Sequence, residues 1–266
     1  MKQIKYIALD IDGTLVNDAK QFAPNTENVF RQLFDLGITL IFCSGRQIYA
    51  LLNDFKQYKN HSIYIGENGG ISYYDNDIHI HAKLEQSHID TVLQRLSNNP
   101  EITPVLSGLD VAYVPKHCTE KFINEILPYY PFNTIKDSQN VDDIVLKVAA
   151  HVNTDSYHKI FVPNQDLNSI MDVCVSADQW CDFNPKGSSK GATLTQLMKE
   201  LNIAKEEVMA VGDSGNDASM LAAVGHPVAM KNAIDSIKSM AVDITSKDNN
   251  EFGCIDYLIN YFHLDQ

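Results

Sequence analysis

The apolar residues of the chain lie in short runs that predict alternating strands and helices. The run Ile4–Leu9 is almost continuously apolar, which is typical of a strand buried on both faces of a parallel sheet. Apolar residues at helical spacing predict an amphipathic helix over Asn25–Leu36, and a second helix is predicted near Ile48–Tyr58. Two further strands are predicted at Ile38–Cys43 and Ser62–Ile65. This βαβαβ order favours a parallel sheet with right-handed crossovers, in which ligands bind at the carboxyl ends of the strands.

The middle of the chain departs from this alternation. The turn residues 75–77 join two short strands in a predicted hairpin. Residues from about 84 to 182 then mix hairpin-like strand pairs with helices, which is typical of an antiparallel α+β unit. The strand–helix alternation returns afterwards and includes a helix predicted at Asn216–Val224. We therefore predict an α/β protein with a Rossmann-like parallel-sheet core, formed by residues 1–83 and 187–266, and an inserted α+β domain at 84–186.

The charge balance narrows the choice of partners. The 266 residues include 34 acidic side chains and 21 of Lys or Arg, which gives a formal net charge of -13. An acidic protein repels nucleic acids and anionic membranes, so neither is expected as a partner. The same charge repels anionic substrates at long range. A site for phosphate would therefore need a metal ion and a few basic residues close by.

Cysteine usage and hydropathy favour a reducing, cytoplasmic location. The five cysteines are odd in number and widely spaced, and none forms a C-x-x-C pair, which argues against disulfides and structural zinc. No apolar stretch approaches the ~20 residues that cross a bilayer. The apolar run near the first residue is too short for a signal peptide. No feature of the sequence predicts an oligomeric state.

Four short polar segments stand at predicted strand ends or at the start of a helix. They are Asp10-Ile11-Asp12-Gly13-Thr14, Ser44-Gly45-Arg46, Ser189-Lys190-Gly191 and Gly212-Asp213-Ser214-Gly215-Asn216-Asp217. Each alone has an ordinary explanation as a polar turn, a helix cap or a solvated lysine. Two carboxylates directly after a buried strand are nevertheless unfavourable unless a cation or a phosphoryl group lies nearby. Because all four segments fall at the expected edge of one sheet, together they favour a single site.

These segments, in this order, resemble the motifs of haloacid dehalogenase (HAD) superfamily phosphohydrolases, in particular the Cof-like group with a C2-type (C2B) cap. The segment between Asp12 and Ser44 is too short to hold a cap, whereas the long stretch between Ser44 and Lys190 can hold one. The resemblance covers nearly the whole chain. It implies a Mg²⁺-dependent phosphatase that hydrolyses small phosphorylated metabolites, with sugar phosphates as the favoured substrates, through an aspartyl-phosphate intermediate.

The implied catalytic roles agree with the chemistry of the residue types. Phosphoryl transfer needs an in-line nucleophile, neutralisation of the charge on the phosphoryl oxygens, and a proton for the leaving group. The resemblance implies that Asp10 is the nucleophile and that Asp12 is the general acid and base. Lys190 would neutralise charge between Asp10 and the phosphate. Thr14 would support the loop that carries Asp10.

The resemblance also implies two sets of binding residues. Mg²⁺ would be bound by the Asp10 carboxylate, the Asp12 backbone carbonyl and the Asp213 carboxylate, with Asp217 acting through water or through these ligands. The phosphate would be bound by the Ser44 hydroxyl, the Gly45 amide, Lys190 and Asn216.

Two other functions are compatible with the motifs. A phosphotransferase or mutase would use the same Asp10 intermediate with a different acceptor, and product analysis with and without an acceptor separates the two. A catalytically silent binding protein is expected to lack one of the four central residues. All four are present: Asp10, Asp12, Lys190 and Asp213.

Several side chains are open to more than one interpretation. Arg46 either contacts substrate or braces the loop around it, and we favour bracing. Lys186 is a second lysine close to Lys190, which is preferred because a helix begins there. His79 and His81 share one face of a predicted strand, and an ordinary hairpin pair is favoured over a metal site. No residue of the inserted domain is predicted to set substrate specificity.

Overall fold

The computed structural model describes residues 3–109, 111–126, 135–137 and 141–265. Within them the chain forms two sheets, one of eight strands and one of six. The first part of the chain contains β1 (Tyr6–Leu9), α1 (Thr26–Asp35), β2 (Thr39–Cys43), α2 (Ile48–Asp54), β3 (Ser62–Gly66), β4 (Ile71–Tyr74) and β5 (Asp77–Ile80).

The middle of the chain forms the six-stranded sheet and its helices, which we call the cap. It contains α3 (Gln86–Leu96), β6 (Thr103–Gly108), β7 (Ala112–Val114), α4 (Glu120–Ile126), β8 (Ile135–Asp137), β9 (Val145–His151), α5 (Val162–Asn164), β10 (Met171–Ala177) and β11 (Trp180–Pro185). The strand order is β10-β11-β9-β6-β7-β8, and all pairs are antiparallel except β7 with β8.

The last part of the chain returns to the first sheet. It contains α6 (Lys190–Glu200), β12 (Val208–Gly212), α7 (Ala218–Ala223), β13 (His226–Ala229), α8 (Asp235–Lys238), β14 (Asp243–Ile244) and α9 (Gly253–Phe262). The order of the eight strands is β14-β13-β12-β1-β2-β3-β4-β5. From β14 to β3 the strands are parallel, and β4 and β5 add the predicted hairpin at the antiparallel edge.

Strand β1 lies in the middle of this sheet and is flanked by β12 and β2. Leu9, Phe42 and Val211, near the ends of these three strands, are fully buried, as their continuous apolar runs predict. Because the strands are parallel, their carboxyl ends lie side by side. The polar residues that follow β1, β2 and β12 are thereby brought to one edge of the sheet.

Two predicted helices begin or end differently in the structure. The helix from Ile48 ends at Asp54, and a separate 3-10 turn spans Lys56–Tyr58. The intervening Phe55 leaves helical geometry, with φ -118 and ψ 24, and its ring stacks on Phe42 at 4.0 Å. The helix predicted from Asn216 begins as a 3-10 turn at Gly215–Asp217 and becomes α-helical only at Ala218.

The limits of the inserted domain stay a prediction, and its residues 110, 127–134 and 138–140 lie outside the described part of the chain. None of the described helices combines the length and apolar character that crossing a bilayer requires.

Candidate active site

Three carboxylates and one lysine meet at the carboxyl ends of β1 and β12. Each of Asp10, Asp213 and Asp217 offers an oxygen within 4.8 Å of the others. Lys190, the first residue of α6, donates to Asp10 Oδ1 at 2.6 Å and to Asp217 Oδ1 at 2.7 Å, and its side chain is fully buried. The structure thus brings Lys190 onto a carboxylate that lies 180 positions away in the chain, as the motifs predicted.

Burial and mutual repulsion dominate the electrostatics of this cluster. Burial raises the pKa of Asp10 well above its usual value, and the Asp217 carboxylate adds to this, while Lys190 opposes it. Burial and the same Asp217 charge raise the pKa of Asp213 to about 7. Burial disfavours the Lys190 ammonium, but the carboxylates of Asp10 and Asp217 outweigh this and raise its pKa. The cluster therefore holds more negative charge than its single lysine can balance.

Two glycines allow the carboxylates to approach the strand ends. Gly13 has φ +85, and a Cβ there would lie 2.5 Å from Asp213 Oδ2. A Cβ on Gly212 would lie 2.7 Å from the carboxyl carbon of Asp217. Contacts this close are not found for real side chains, so both positions require glycine for the cluster to form.

The donor set fits a divalent cation. Asp10 Oδ2 is buried and accepts no hydrogen bond from any described residue. Three carboxylates against one ammonium leave an excess of two negative charges when all are ionised, and oxygen-only ligands suit Mg²⁺. Asp217 is less available than the other two, because Oδ1 accepts from Lys190 and Oδ2 accepts from the amides of Asp213 and Ser214.

Asp12 faces away from this cluster, toward two cations. Arg46 donates to both carboxylate oxygens at 2.7 Å, and Lys20 donates to Oδ1 at 2.6 Å. Burial by itself raises the pKa of Asp12, but the hydrogen bonds and charges of Arg46 and Lys20 outweigh it and lower the pKa to about 2. Arg46 also binds Asp54 at 2.7 Å, so in this arrangement it braces the loop, as favoured from the sequence.

Three of the predicted phosphate-binding residues, Ser44, Gly45 and Asn216, line one cavity with Asp10. Ser44 is buried after β2, and its Oγ accepts the Arg46 amide at 3.1 Å. No described residue accepts the Ser44 hydroxyl proton, which leaves it free to donate to a ligand. The side chain of Asn216 instead donates to Asn68 Oδ1 at 3.1 Å.

A cavity of about 150 Å³ connects these groups with the cap. Its core side includes Asp10, Asp12, Ser44 and Gly45, and its cap side includes Lys147, Ala149, Trp180 and Asp182. The walls therefore change from charged and polar groups on the core to a mixed polar and apolar surface on the cap. Such a division suits a ligand with one anionic end and one less polar end.

Several residues of the site carry no motif and were missed from the sequence. Lys20 lies in an irregular polar segment with no detectable signal. Lys147 did have a sequence signal, because a lysine inside the apolar run Val145–Ala150 is unusual for a buried strand. Asn68 lies in a left-handed turn, with φ 52, that no apolar pattern predicts.

The other open residues lie outside the carboxylate cluster. Lys186 binds Asp172 at 2.8 Å on the surface. His79 and His81 belong to the predicted hairpin, where His81 contacts the Ser72 hydroxyl at 2.7 Å and His79 stacks on Tyr74 at 4.1 Å. Among the described residues, neither histidine joins a group of three metal-ligating side chains.

Comparisons with known proteins indicate the family to which the chain belongs. The family model for haloacid dehalogenase-like hydrolases matches residues 7–258. The chain is 28% identical to the 5-amino-6-(5-phospho-D-ribitylamino)uracil phosphatase YbjI of Escherichia coli (strain K12), over 96% of this chain and 95% of that protein. It is also 28% identical to phosphatase YwpJ of Bacillus subtilis (strain 168), over 94% of this chain and 97% of that protein.

Solved structures give the same result for the fold. The structure of SMU.1108c from Streptococcus mutans UA159 matches with a TM-score of 0.89 at 25% identity, and the match covers 98% of this chain and 100% of that one. The predicted fold class, a parallel-sheet core with an inserted cap, is therefore confirmed. The match of the family model to residues 7–258, which contain the four motifs and the buried carboxylate cluster, shows that the chain belongs to the haloacid dehalogenase-like hydrolases.

Proposed function

We propose that the protein is a Mg²⁺-dependent phosphatase that hydrolyses small phosphorylated metabolites, with sugar phosphates as the favoured class, through an aspartyl-phosphate on Asp10. The observation that carries the proposal is the state of Asp10. Its Oδ1 is held by Lys190 at 2.6 Å, while its Oδ2 is buried, accepts no hydrogen bond from the described residues and belongs to a residue that lines the cavity. A carboxylate oriented by one oxygen, with the other available, is suited to attack phosphorus.

The reaction then has two steps. In the first, an Asp10 oxygen forms a bond to phosphorus, the ester P–O bond breaks, and the leaving oxygen takes a proton. In the second, water attacks phosphorus, the P–O bond to Asp10 breaks, and a base accepts the proton of the water. Throughout, Ser44, the Gly45 amide and Lys190 would hold the phosphoryl oxygens.

Asp12 is assigned both proton transfers. In the present arrangement Arg46 and Lys20 hold it ionised, which is the form required for the second step. To carry a proton in the first step, the carboxylate must turn away from these two cations toward the leaving oxygen. The rotation is local, because the ion pairs involve only the side chain of Asp12.

The carboxylates of Asp10 and Asp213, with the backbone carbonyl of Asp12, would bind the metal ion. Asp217 would orient the ligands through Lys190 and the Asp213 amide. When bound, the ion neutralises negative charge on the carboxylates and on the phosphoryl oxygens.

The size of the cavity supports a small substrate. A volume of about 150 Å³ is below the roughly 300 Å³ at which pockets for drug-sized ligands begin. A phosphate group with a short carbon chain fits more readily than a phosphate joined to a large ring system.

The proposal is tested with Asp10→Asn, which keeps the size of the side chain but removes the nucleophilic charge. We expect hydrolysis of a panel of metabolite phosphates to be lost, while the circular dichroism spectrum is unchanged. Asp75→Asn, in the exposed hairpin turn, is the matched control and should retain full activity. Hydrolysis by Asp10→Asn at the rate of the unsubstituted protein would contradict the proposal.

A chelator provides the second arm of the test. Activity should disappear with EDTA and return with excess Mg²⁺. Release of one inorganic phosphate per ester, with no acceptor present, would separate a phosphatase from a phosphotransferase.

A further inference from the structure

Lys147 is a buried lysine that belongs to the cap but contacts the core. It lies on strand β9 between the apolar residues Leu146 and Val148, and it is only 5% exposed. Its Nζ donates to the backbone carbonyl of Gly45 at 2.6 Å. Gly45 belongs to the loop that we assign to phosphate binding. Buried lysines are rare, and the cost of desolvating this ammonium must be offset by specific contacts.

Two acidic residues, one from each part of the molecule, hold the Lys147 ammonium in place. The cap residue Asp182 lies at 3.3 Å, and the core residue Glu67 lies at 3.7 Å. Asn68, next to Glu67, donates to Asp182 at 2.7 Å and accepts from Asn216 at 3.1 Å. The ammonium therefore sits in a polar network that joins the cap to two loops of the core.

One peptide group links Lys147 to the Ser44 hydroxyl. The Gly45 carbonyl that accepts from Lys147 and the Arg46 amide belong to the same peptide group. That amide donates to Ser44 Oγ at 3.1 Å. A cation on the carbonyl polarises the peptide and strengthens the hydrogen bond of its N–H. A hydroxyl that accepts a stronger hydrogen bond in turn becomes a better donor through its own proton.

We propose that Lys147 is a positioning residue for phosphoryl transfer: the cap inserts its ammonium onto the Gly45 carbonyl, and this orients and polarises the Ser44 hydroxyl toward the phosphoryl group. The inference rests on the proposed function and extends it, because it makes the phosphate site complete only when the cap is closed. Lys147 acts through the core loop and does not touch the leaving group. Its effect should therefore be the same for every phosphate ester.

The competing explanation is that Lys147 binds the leaving group directly, since it also lines the cavity. The two explanations differ in their dependence on substrate. A residue that acts on the phosphate loop affects acetyl phosphate, p-nitrophenyl phosphate and ribose 5-phosphate equally. A residue that binds the leaving group affects these esters unequally, and it leaves the binding of orthovanadate, which has no leaving group, unchanged.

The test uses Lys147→Met, which retains most of the apolar stem but removes the charge. Lys159→Met is the matched control, because Lys159 is a partly exposed cap lysine paired with Glu101 and away from the cavity. Removing the Lys147 charge leaves the buried carboxylates of Asp182 and Glu67 without their ammonium partner, which can prevent folding. The double variant Lys147→Met, Asp182→Asn removes one negative charge together with the positive one, so the net charge of the network is unchanged. Thermal unfolding establishes which variants are folded.

We expect kcat/KM of the folded Lys147 variant to fall about 10- to 100-fold, by the same factor for all three esters, with most of the change in kcat. The inhibition constant of orthovanadate should rise in parallel. Lys159→Met should change neither quantity. A loss confined to some of the esters, an unchanged affinity for orthovanadate, or an unchanged kcat/KM would each overturn the proposal.

Ester hydrolysis by the unsubstituted protein and by Asp10→Asn separates this proposal from the proposed function. If the unsubstituted protein hydrolyses no ester, the proposed phosphatase activity fails, whatever Lys147 does. If it hydrolyses them and Asp10→Asn does not, the phosphatase holds and the variants of Lys147 decide the inference alone.

Discussion

Asp10 illustrates how single residues of the site depend on their neighbours. A buried carboxylate next to two others is unfavourable, and its raised pKa reflects this. The arrangement persists because Lys190 binds one oxygen, and because Gly13 and Gly212 leave space for the other acids. The repulsion among these buried carboxylates lowers the stability of the fold, and a bound cation would relieve it.

The close approach of Asp213 to Gly13 gives a prediction for a single residue. Gly13→Ala places a Cβ 2.5 Å from Asp213 Oδ2, so the carboxylate must leave its present position. We expect the apparent affinity for Mg²⁺, measured by titrating activity, to fall about tenfold or more.

A second glycine separates this effect from backbone strain. Gly37 has a similar φ of +76, but a Cβ added there would meet no atom within 4 Å, so Gly37→Ala carries the strain without the clash. Both substitutions should lower the free energy of unfolding, by about 1 kcal/mol for the strain alone. Equal Mg²⁺ affinities in the two variants would contradict the assignment of Asp213 as a ligand.

At the scale of secondary-structure elements, the turn that follows β3 contacts the cap through hydrogen bonds. Glu67 and Asn68 both have positive φ, 50 and 52, and both are buried. Glu67 accepts from Ser107 of the cap at 3.1 Å, and Asn68 binds Asp182. Conformations of this kind are unfavourable for residues other than glycine, so the contacts with the cap must stabilise the turn.

Glu67 should make the stability of the protein depend on pH. Burial is the main cause that raises its pKa from 4.5 to about 7, so the folded state binds a proton over a range in which the unfolded state has lost it. The free energy of unfolding of the unsubstituted protein, relative to Glu67→Gln, should therefore fall as the pH rises from 4.5 to about 7 and then stay constant. The total change should be about 3 kcal/mol.

Urea unfolding at a series of pH values measures this difference. Glu206→Gln, at an exposed glutamate, serves as the control for the substitution itself. A difference between the unsubstituted protein and Glu67→Gln that is constant from pH 4.5 to about 7 would show that Glu67 does not titrate in the folded state as described.

The same elements show how far a sequence can predict a site. The positions of Asp10, Ser44 and Asp213 at one edge of the sheet could be predicted because continuous apolar runs mark buried parallel strands, and the ends of such strands must meet. The pairing of Asp12 with Arg46 was not predicted, because two charged side chains near a strand end have several possible partners. The contact of Lys147 with Gly45 depends on how two domains pack, which no local pattern encodes.

At the scale of the whole molecule, the net charge opposes the chemistry of the site. A protein of charge -13 repels a phosphate ester, while Lys20, Arg46 and Lys147 line the cavity and are each paired there with a carboxylate. The long-range repulsion acts through solvent and is screened by salt. The local contacts are partly buried, so salt affects them less.

Salt should therefore raise the rate of productive encounter. Between roughly 0.02 and 0.15 M KCl at constant Mg²⁺, we expect kcat/KM to increase about two- to threefold, with kcat unchanged. A sugar bisphosphate should respond more strongly than the corresponding monophosphate, because it carries more charge. A fall in kcat/KM with added KCl would show that the local cations, and not the net charge, control encounter.

A covalent intermediate at Asp10 is central to the proposed function, and the stereochemical course of hydrolysis tests it most directly. The substrate is a thiophosphate ester made chiral at phosphorus with an oxygen isotope, and it is hydrolysed in water that contains a different isotope. Transfer first to Asp10 and then to water inverts phosphorus twice, so we predict retention of configuration in the released thiophosphate. Inversion would mean that water attacks the ester directly, and it would contradict the role assigned to Asp10.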